Sequence, residues 1–246
     1  MRALVTFVIC LEMVSGAKLP TDIEKCRYGD GNCIKNTINQ LIRRYPKGLP
    51  KLGISPFNDF RPGDLQLFQA PQVGSMWLNF KLINQVISGC ENATVTHVSG
   101  FQRDPTKAKL EIGLRIPRLV HRSQYNMQLR WLSMVQTNTT GPCYAEFQNV
   151  SLTLNLKVIV RYRQEKRYLK IYELMPQLEL GRFFLELGDL YQHNLDLTLA
   201  VNRVYRENWL ELWNDIEPKV LPSFSRSGVQ LLNNIFDTLS YDDMFL

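Results

Sequence analysis

From about Trp77 to Val201 apolar and polar residues alternate along the chain, the period-two signature of half-buried strands. Leu110, Ile112, Leu114 and Ile116 alternate with Lys109, Glu111, Gly113 and Arg115. Further on, Leu152, Leu154, Leu156, Val158, Val160 and Tyr162 alternate with Thr153, Asn155, Lys157, Arg161 and Arg163, with Ile159 as the apolar exception on the second face. The polar break Gln164-Glu165-Lys166 predicts an antiparallel hairpin that returns through Tyr168 to Leu174. A last strand is expected where Leu195, Leu197, Leu199 and Val201 alternate with Asp196 and Thr198.

Helical periods flank this region. Between Asn32 and Arg44 the residues Ile34, Ile38, Leu41 and Ile42 follow the spacing of an amphipathic helix, which Pro46, Gly48, Pro50 and Pro56 then end. Toward the C-terminus, Trp209, Trp213, Ile216, Val220, Phe224, Leu231, Leu232, Ile235 and Phe236 keep one helix face apolar. Asn208-Trp209-Leu210-Glu211 has the form of a capping box at its start. Pro218 and Pro222 interrupt it, so a kinked helix or two consecutive helices are expected. So long an apolar stripe has to be covered, and the long strands are the element available to cover it. The expected fold class is α+β: a strongly curved antiparallel sheet wrapped around a long C-terminal helix, with a short N-terminal helix.

The first residues are set apart from that fold. Arg2, the apolar run Ala3 to Leu11 and the small residues Ser15-Gly16-Ala17 form a signal peptide with cleavage expected after Ala17. The tract is shorter than the roughly 20 apolar residues of a membrane anchor. The mature chain, 18–246, is then expected to be one domain, soluble and extracellular. In an oxidising compartment the four remaining cysteines are expected to pair. The glycines between Cys26 and Cys33 let the backbone curl into a local bridge, which leaves Cys90 with Cys143 by elimination. A zinc site would need C-x-x-C spacing and nearby histidines, which are lacking, and no metal or other cofactor is expected. Sequons at Asn92, Asn138 and Asn149 fit passage through the secretory pathway as glycosylation sites in surface loops or strand ends.

Composition changes this picture little. A hydrophobic fraction of 45% with 21% charged residues is ordinary for a globular domain, and the formal net charge of +6 is scattered. No basic stripe suggests nucleic acid. Catalytic signatures are also missing: there is no G-x-S-x-G elbow, H-E-x-x-H helix or Gly-rich phosphate loop, and His97, His121 and His193 lie in unrelated segments.

Several short motifs, in order, point to a family. Cys26-x6-Cys33 with the short helix and Gly48-Leu49-Pro50, the Asn208-Trp209 helix start, Pro218, and the ending Ser240-Tyr241-Asp242-Asp243-Met244-Phe245-Leu246 resemble the takeout and juvenile hormone-binding protein family of arthropods. The resemblance spans essentially the whole mature chain. It implies a tubular-lipid-binding fold with an apolar tunnel, carriage of a small hydrophobic ligand, and family roles in feeding, daily rhythm, chemosensation and hormone transport. Two departures stand out: the Cys90 and Cys143 pair lies outside the family's pattern, and Ser240 stands where the family usually has Pro.

The expectation is therefore a monomeric, non-enzymatic carrier of an elongated apolar molecule such as a juvenoid, terpenoid or fatty acid. Trp77, Leu114, Ile116, Leu129, Trp131, Leu154, Leu156, Trp213, Ile216, Val220 and Phe236 are the candidate lining, each competing with a plain core role. His121 or Tyr125 is either a polar contact at a tunnel end or a surface residue. The alternative is a lipid-transfer or membrane-docking protein, in which Arg161, Arg163, Lys166 and Arg167 at the hairpin tip meet anionic head groups.

Overall fold

The computed structural model describes residues 18–69, 76–131, 135–191 and 194–246, without the side chains of 76, 131, 135 and 136. The expected signal peptide, 1–17, lies outside the described residues, as does His193. A short helix α1 (Gly31–Arg44) precedes the strands β1 (Leu65–Gln69), β2 (Met76–Ser88), β3 (Thr94–Ser99), β4 (Leu110–Trp131), β5 (Val135–Arg163), β6 (Lys166–Glu179) and β7 (Arg182–Leu187). The helices α2 (Leu195–Glu207), α3 (Trp209–Thr238) and α4 (Tyr241–Met244) complete the chain. The strands form one antiparallel sheet in the order β1-β2-β4-β5-β6, with β3 also on β4 and β7 also on β5. The sheet curls into a half-barrel around α3.

β4 and β5 are the spine. They pair without slippage from Leu110↔Leu156 to Trp131↔Val135. Their inward residues nevertheless change parity midway. Leu110, Ile112, Leu114 and Ile116 share the face of Val150, Leu152, Leu154 and Leu156, whereas lower down the inward set is Leu119, His121, Ser123 and Tyr125 against Phe147, Ala145, Cys143 and Gly141. The exchange falls at Pro117-Arg118 and Gln148-Asn149, where two successive positions on each strand turn away from the core. Asn149 takes a left-handed φ of 52°, and Pro117 has no N–H to give the ladder. Both strands turn over together, so the register survives.

The hairpin between β5 and β6 forms where the polar break predicts it. Gln164 and Glu165 both have positive φ, 49° and 64°, as a two-residue turn matched to strand twist requires, and they set Arg163 opposite Lys166. α3 packs along β6 and β7. Gly228 lets the helix backbone approach Leu174 of β6, where any side chain would collide with the leucine, and Ser225 Oγ donates to the Leu174 carbonyl there at 2.5 Å.

Two local expectations are corrected, and one of two alternatives is excluded. Leu195 to Val201 is the start of α2 and not a strand. Asn194 caps it by accepting from Leu197 N at 2.9 Å, and the buried face carries Thr198 and Asn202, while Leu195, Leu197 and Leu199 are exposed. Asn202 donates to the Leu187 carbonyl and accepts from its N–H, so polar groups dock this helix on β7 and apolar alternation there is no guide to burial. The capping box is also absent. Asn208 makes no side-chain cap bond to α3 and instead donates to the Val204 carbonyl, closing α2. Of the two forms expected at the C-terminus, two consecutive helices are not what forms: α3 is one helix of 30 residues that contains Pro218 and Pro222. The carbonyls those prolines leave without a helical donor belong to Asn214 and Pro218, both exposed to water, and the apolar stripe holds the helix to the sheet on either side.

The N-terminal bridge is as expected, with Cys26 and Cys33 joined at a Cα separation of 5.7 Å. Cys90 and Cys143, by contrast, are free thiols. Gly89 abuts the backbone of Arg118, whereas Cys143 is the ladder partner of Ser123, farther along β4. From position 118 to 123 is about 16 Å at roughly 3.3 Å per strand residue, and a bridge needs Cα atoms within about 7 Å. Alkylation of the denatured, unreduced protein is expected to label Cys90 and Cys143 and to leave Cys26 and Cys33 unmodified. Replacing both bridged cysteines by serine should lower the unfolding free energy by about 2–3 kcal/mol in a denaturant titration, the loop-entropy value for so short a ring.

Candidate functional site

The interior between the sheet and α3 is lined from both. At the upper end, Leu110, Leu156, Leu169, Ile171 and Leu174 are buried together with Phe236 of α3 and with Val95 and Ile34. At the lower end, Tyr125, Phe80, Leu82 and Leu187 meet Val201 and Tyr205 of α2 and Val220 of α3. Between them Phe147, Phe183 and Trp213 form an aromatic cluster with ring centroids 5.1 to 5.6 Å apart, packed on Ile216. The geometries are tilted and edge-on, as aromatic pairs prefer.

Packing is uneven across the middle of the upper wall. Leu110 and Ile116 on β4 are 1% and 6% exposed, yet Ile112 and Leu114 between them on the same face are only partly buried. On β5 the same holds for Leu154 between Leu152 and Leu156, and the facing Val229 and Leu232 of α3 are also only partly buried. Inward apolar side chains that keep accessible surface between fully packed neighbours border space that the chain's own atoms do not fill.

Of the expected lining residues, Leu114, Leu154, Leu156 and Phe236 come together in the upper cluster, Ile116 adjoins it, and Trp213, Ile216 and Val220 lie together below. Leu129 is opposite Leu78 on the lower inner wall and partly buried. Trp77 is buried but has the parity of Arg130, its ladder partner, on the face opposite to Leu78 and Phe80. It therefore does not line the interior. The side chain of Trp131 lies outside the described residues. Phe147, Phe183 and Leu178 were missed, and the parity exchange at Asn149 explains Phe147: counted back from Leu152 in steps of two, it falls on the wrong face.

The polar residues of the lower wall are buried rather than superficial. Tyr125 is fully enclosed and donates to the Gly188 carbonyl at 2.8 Å. His121, 7% exposed, has Nε2 3.0 Å from Gln85 Oε1, and the Gln85 amide in turn donates to the Gly63 carbonyl. Burial holds the His121 imidazole down at about 4, so the ring is neutral. Burial also pushes the Cys143 thiol up to about 11, against an opposing pull from the Ser123 hydroxyl. His97 pairs with Glu111 on the exposed outer face at 2.8 Å. Among the described residues no group of His, Cys, Asp and Glu could hold a metal ion, and no helix is long and apolar enough to cross a membrane. The sequons at Asn92, Asn138 and Asn149 are all exposed, the last two within β5 and not in loops.

The basic hairpin tip is bound to the C-terminal segment. Arg163 pairs with Asp237 at 3.1 Å, Lys166 with Asp243 at 2.7 Å and Arg167 with Asp242 at 2.5 Å. Arg167 also donates to Tyr28 Oη, and its guanidinium lies over the rings of Tyr28 and Tyr241. Ser240 caps α4 by accepting from Asp243 N, and beyond it Leu246 N donates to the Cys26 carbonyl. These contacts tie the last residues to the disulfide loop and the hairpin and pair three of the four basic residues expected at the tip, Arg163, Lys166 and Arg167, while Arg161 is exposed.

A half-barrel sheet closed by a long helix over an apolar interior defines a structural class, and comparison with known proteins narrows it. Residues 3–246 match the family described as haemolymph juvenile hormone binding protein. The chain belongs to that family. It is 21% identical over 233 residues to the circadian clock-controlled protein daywake of Drosophila yakuba and 20% identical over 235 residues to that of Drosophila melanogaster, in each case across 92% of this chain and 88% of the relative. The crystal structure of Epiphyas postvittana Takeout 1 superposes with a TM-score of 0.72 at 16% identity, covering 91% of this chain and 99% of that one, and so shares the fold.

The C-terminal latch can be tested by its acid dependence. Burial alone would raise the Asp242 carboxyl, but the hydrogen bonds from the Arg167 side chain and backbone outweigh it and hold it below the usual carboxylate range. A lowered folded-state value adds stability that is fully present above the unfolded value of 3.8 and is lost as the pH falls through the folded one. Arg167→Ala should cost about 2 kcal/mol at neutral pH. The difference in denaturant midpoint between the variant and the unaltered protein should narrow as the pH falls from about 4 through the folded-state value of Asp242, leaving the part owed to the Tyr28 and Tyr241 contacts.

Proposed function

We propose that this chain is a secreted carrier that holds a small, elongated hydrophobic ligand between the curled sheet and α3. The observation that carries this reading is the partly buried inner patch of Ile112, Leu114 and Leu154, set between fully packed ends. A family described by hormone binding supports it. The ligand class is that of a juvenoid, terpenoid or fatty-acid-like molecule. Covering about 400 Å² of such a ligand at roughly 25 cal/mol per Å² gives about 10 kcal/mol before association costs, enough for micromolar to nanomolar carriage. Export through a signal peptide at 1–17 and glycans at the exposed Asn92, Asn138 and Asn149 complete the proposal. A monomer without catalysis is sufficient for carriage.

Native mass spectrometry of the secreted, deglycosylated protein is expected to show an added mass of about 200–900 Da that is lost on denaturation, the range of a ligand filling such a pocket. A clean unliganded mass with no uptake of long-chain fatty acids or terpenoids would refute carriage. Leu154→Trp puts an indole into the proposed space. It should weaken binding of a fluorescent hydrophobic probe by about tenfold or more, with a thermal midpoint close to that of the unaltered protein, whereas in a filled core the same change would overpack and destabilise by about 1–3 kcal/mol.

A further inference from the structure

The lower inner wall carries polar atoms that the folded chain does not use. His121 and Ser123 are neighbours on one face of β4, opposite the small residues Ala145 and Cys143 of β5. Gln85 fixes the state of the imidazole. Its amide nitrogen is committed to the Gly63 carbonyl, so its oxygen is what meets His121 Nε2, and Nε2 must carry the proton. The neutral ring then presents Nδ1 as an acceptor, with no partner for it among the described residues. Ser123 Oγ is buried with no conventional hydrogen-bond partner, and only the weakly interacting Cys143 thiol lies beside it. Leaving a buried group such as Ser123 Oγ unpaired in an apolar interior costs about 1–3 kcal/mol. The inward positions around them, Leu119, Ala145, Cys143 and the facing Ile87 of β2, carry no charge.

We propose that His121 and Ser123 form a recognition site for a neutral hydroxyl head group, so that the preferred ligand is a long-chain or terpenoid alcohol. The inference rests on the carrier reading above. A ligand hydroxyl donates to Nδ1 of His121 and accepts from Oγ of Ser123, satisfying both atoms at once. An ether or ester has no proton for Nδ1, and a carboxylate meets an acceptor and no cation. The apolar tail then runs up the inner wall toward Leu114 and Leu154.

The test is competition against a fluorescent hydrophobic probe with three ligands of one chain length: hexadecan-1-ol, 1-methoxyhexadecane and hexadecanoic acid. In delipidated full-length protein the alcohol is expected to bind about tenfold tighter than the ether, the value of one buried hydrogen-bond pair. His121→Phe should abolish that ratio and leave the ether unchanged. Equal affinities, or an acid that outcompetes the alcohol, would overturn the assignment and leave carriage intact; failure of the probe and all three ligands to bind would remove both. Should the variant not fold, nitrogen NMR of histidine-labelled unaltered protein decides. The His121 Nδ1 resonance must shift with the alcohol and stay put with the ether, and a resonance indifferent to both overturns the proposal.

Discussion

The β4–β5 ladder is the constraint on which the rest of the molecule depends. Two strands of 22 and 29 residues stay in register along the whole of the shorter one, and strands of this length cannot remain flat because each residue adds to the right-handed twist. The sheet has to curl, and a curled sheet with one apolar face needs something to fill it. α3 fills it, while β2 and β3 share one flank of β4, and β6 and β7 share one flank of β5. Each of these four strands pairs with part of the spine, and β1 adds to the edge of β2.

Covalent and ionic ties between distant segments cluster at the upper end. There the disulfide loop, the C-terminal helix and the hairpin tip meet around the Arg167–Asp242 pair, and Tyr28, Tyr241 and Phe245 stack beside it with centroids 4.7 to 5.6 Å apart. The ending Ser-Tyr-Asp-Asp-Met-Phe-Leu thus has a mechanical reading. The serine caps a helical turn, the tyrosine is fully buried, the aspartates neutralise the tip, and the final backbone pairs with the disulfide loop. Among the described residues the lower end carries no disulfide. It is closed by α2, whose buried face is polar and whose exposed positions include several leucines.

Much of the fold was legible because the upper halves of β4 and β5 obey strict alternation and α1 and α3 obey helical spacing. The hairpin at Gln164-Glu165, the Cys26–Cys33 bridge and the enclosed position of Phe236 follow from local chemistry that a sequence displays. What stayed hidden has physical causes. α2 misled because its anchors are Asn202 and Thr198 and not its leucines. The lower interior was obscured by the exchange of faces at Pro117 and Asn149, so Phe147 was missed; Trp77, on β2, has the parity of the outer face, which its own apolar character does not reveal. The burial of His121 depends on Gln85 and Gly63, remote in sequence, and no local pattern announces it.

The exchange of faces at Pro117-Arg118 and Gln148-Asn149 also bears on how such a chain can vary over evolutionary time. Because the two strands turn over in step, gain or loss of a single residue on one of them would put Tyr125 or Phe147 into water and a charged side chain into the core. Only a compensating change on the other strand would restore the match. Pairing in step therefore constrains length along the spine more tightly than it constrains which apolar residue stands on the inner wall. A lineage can change what its interior accepts by substitution alone, which is consistent with a relative only 16% identical holding the same architecture.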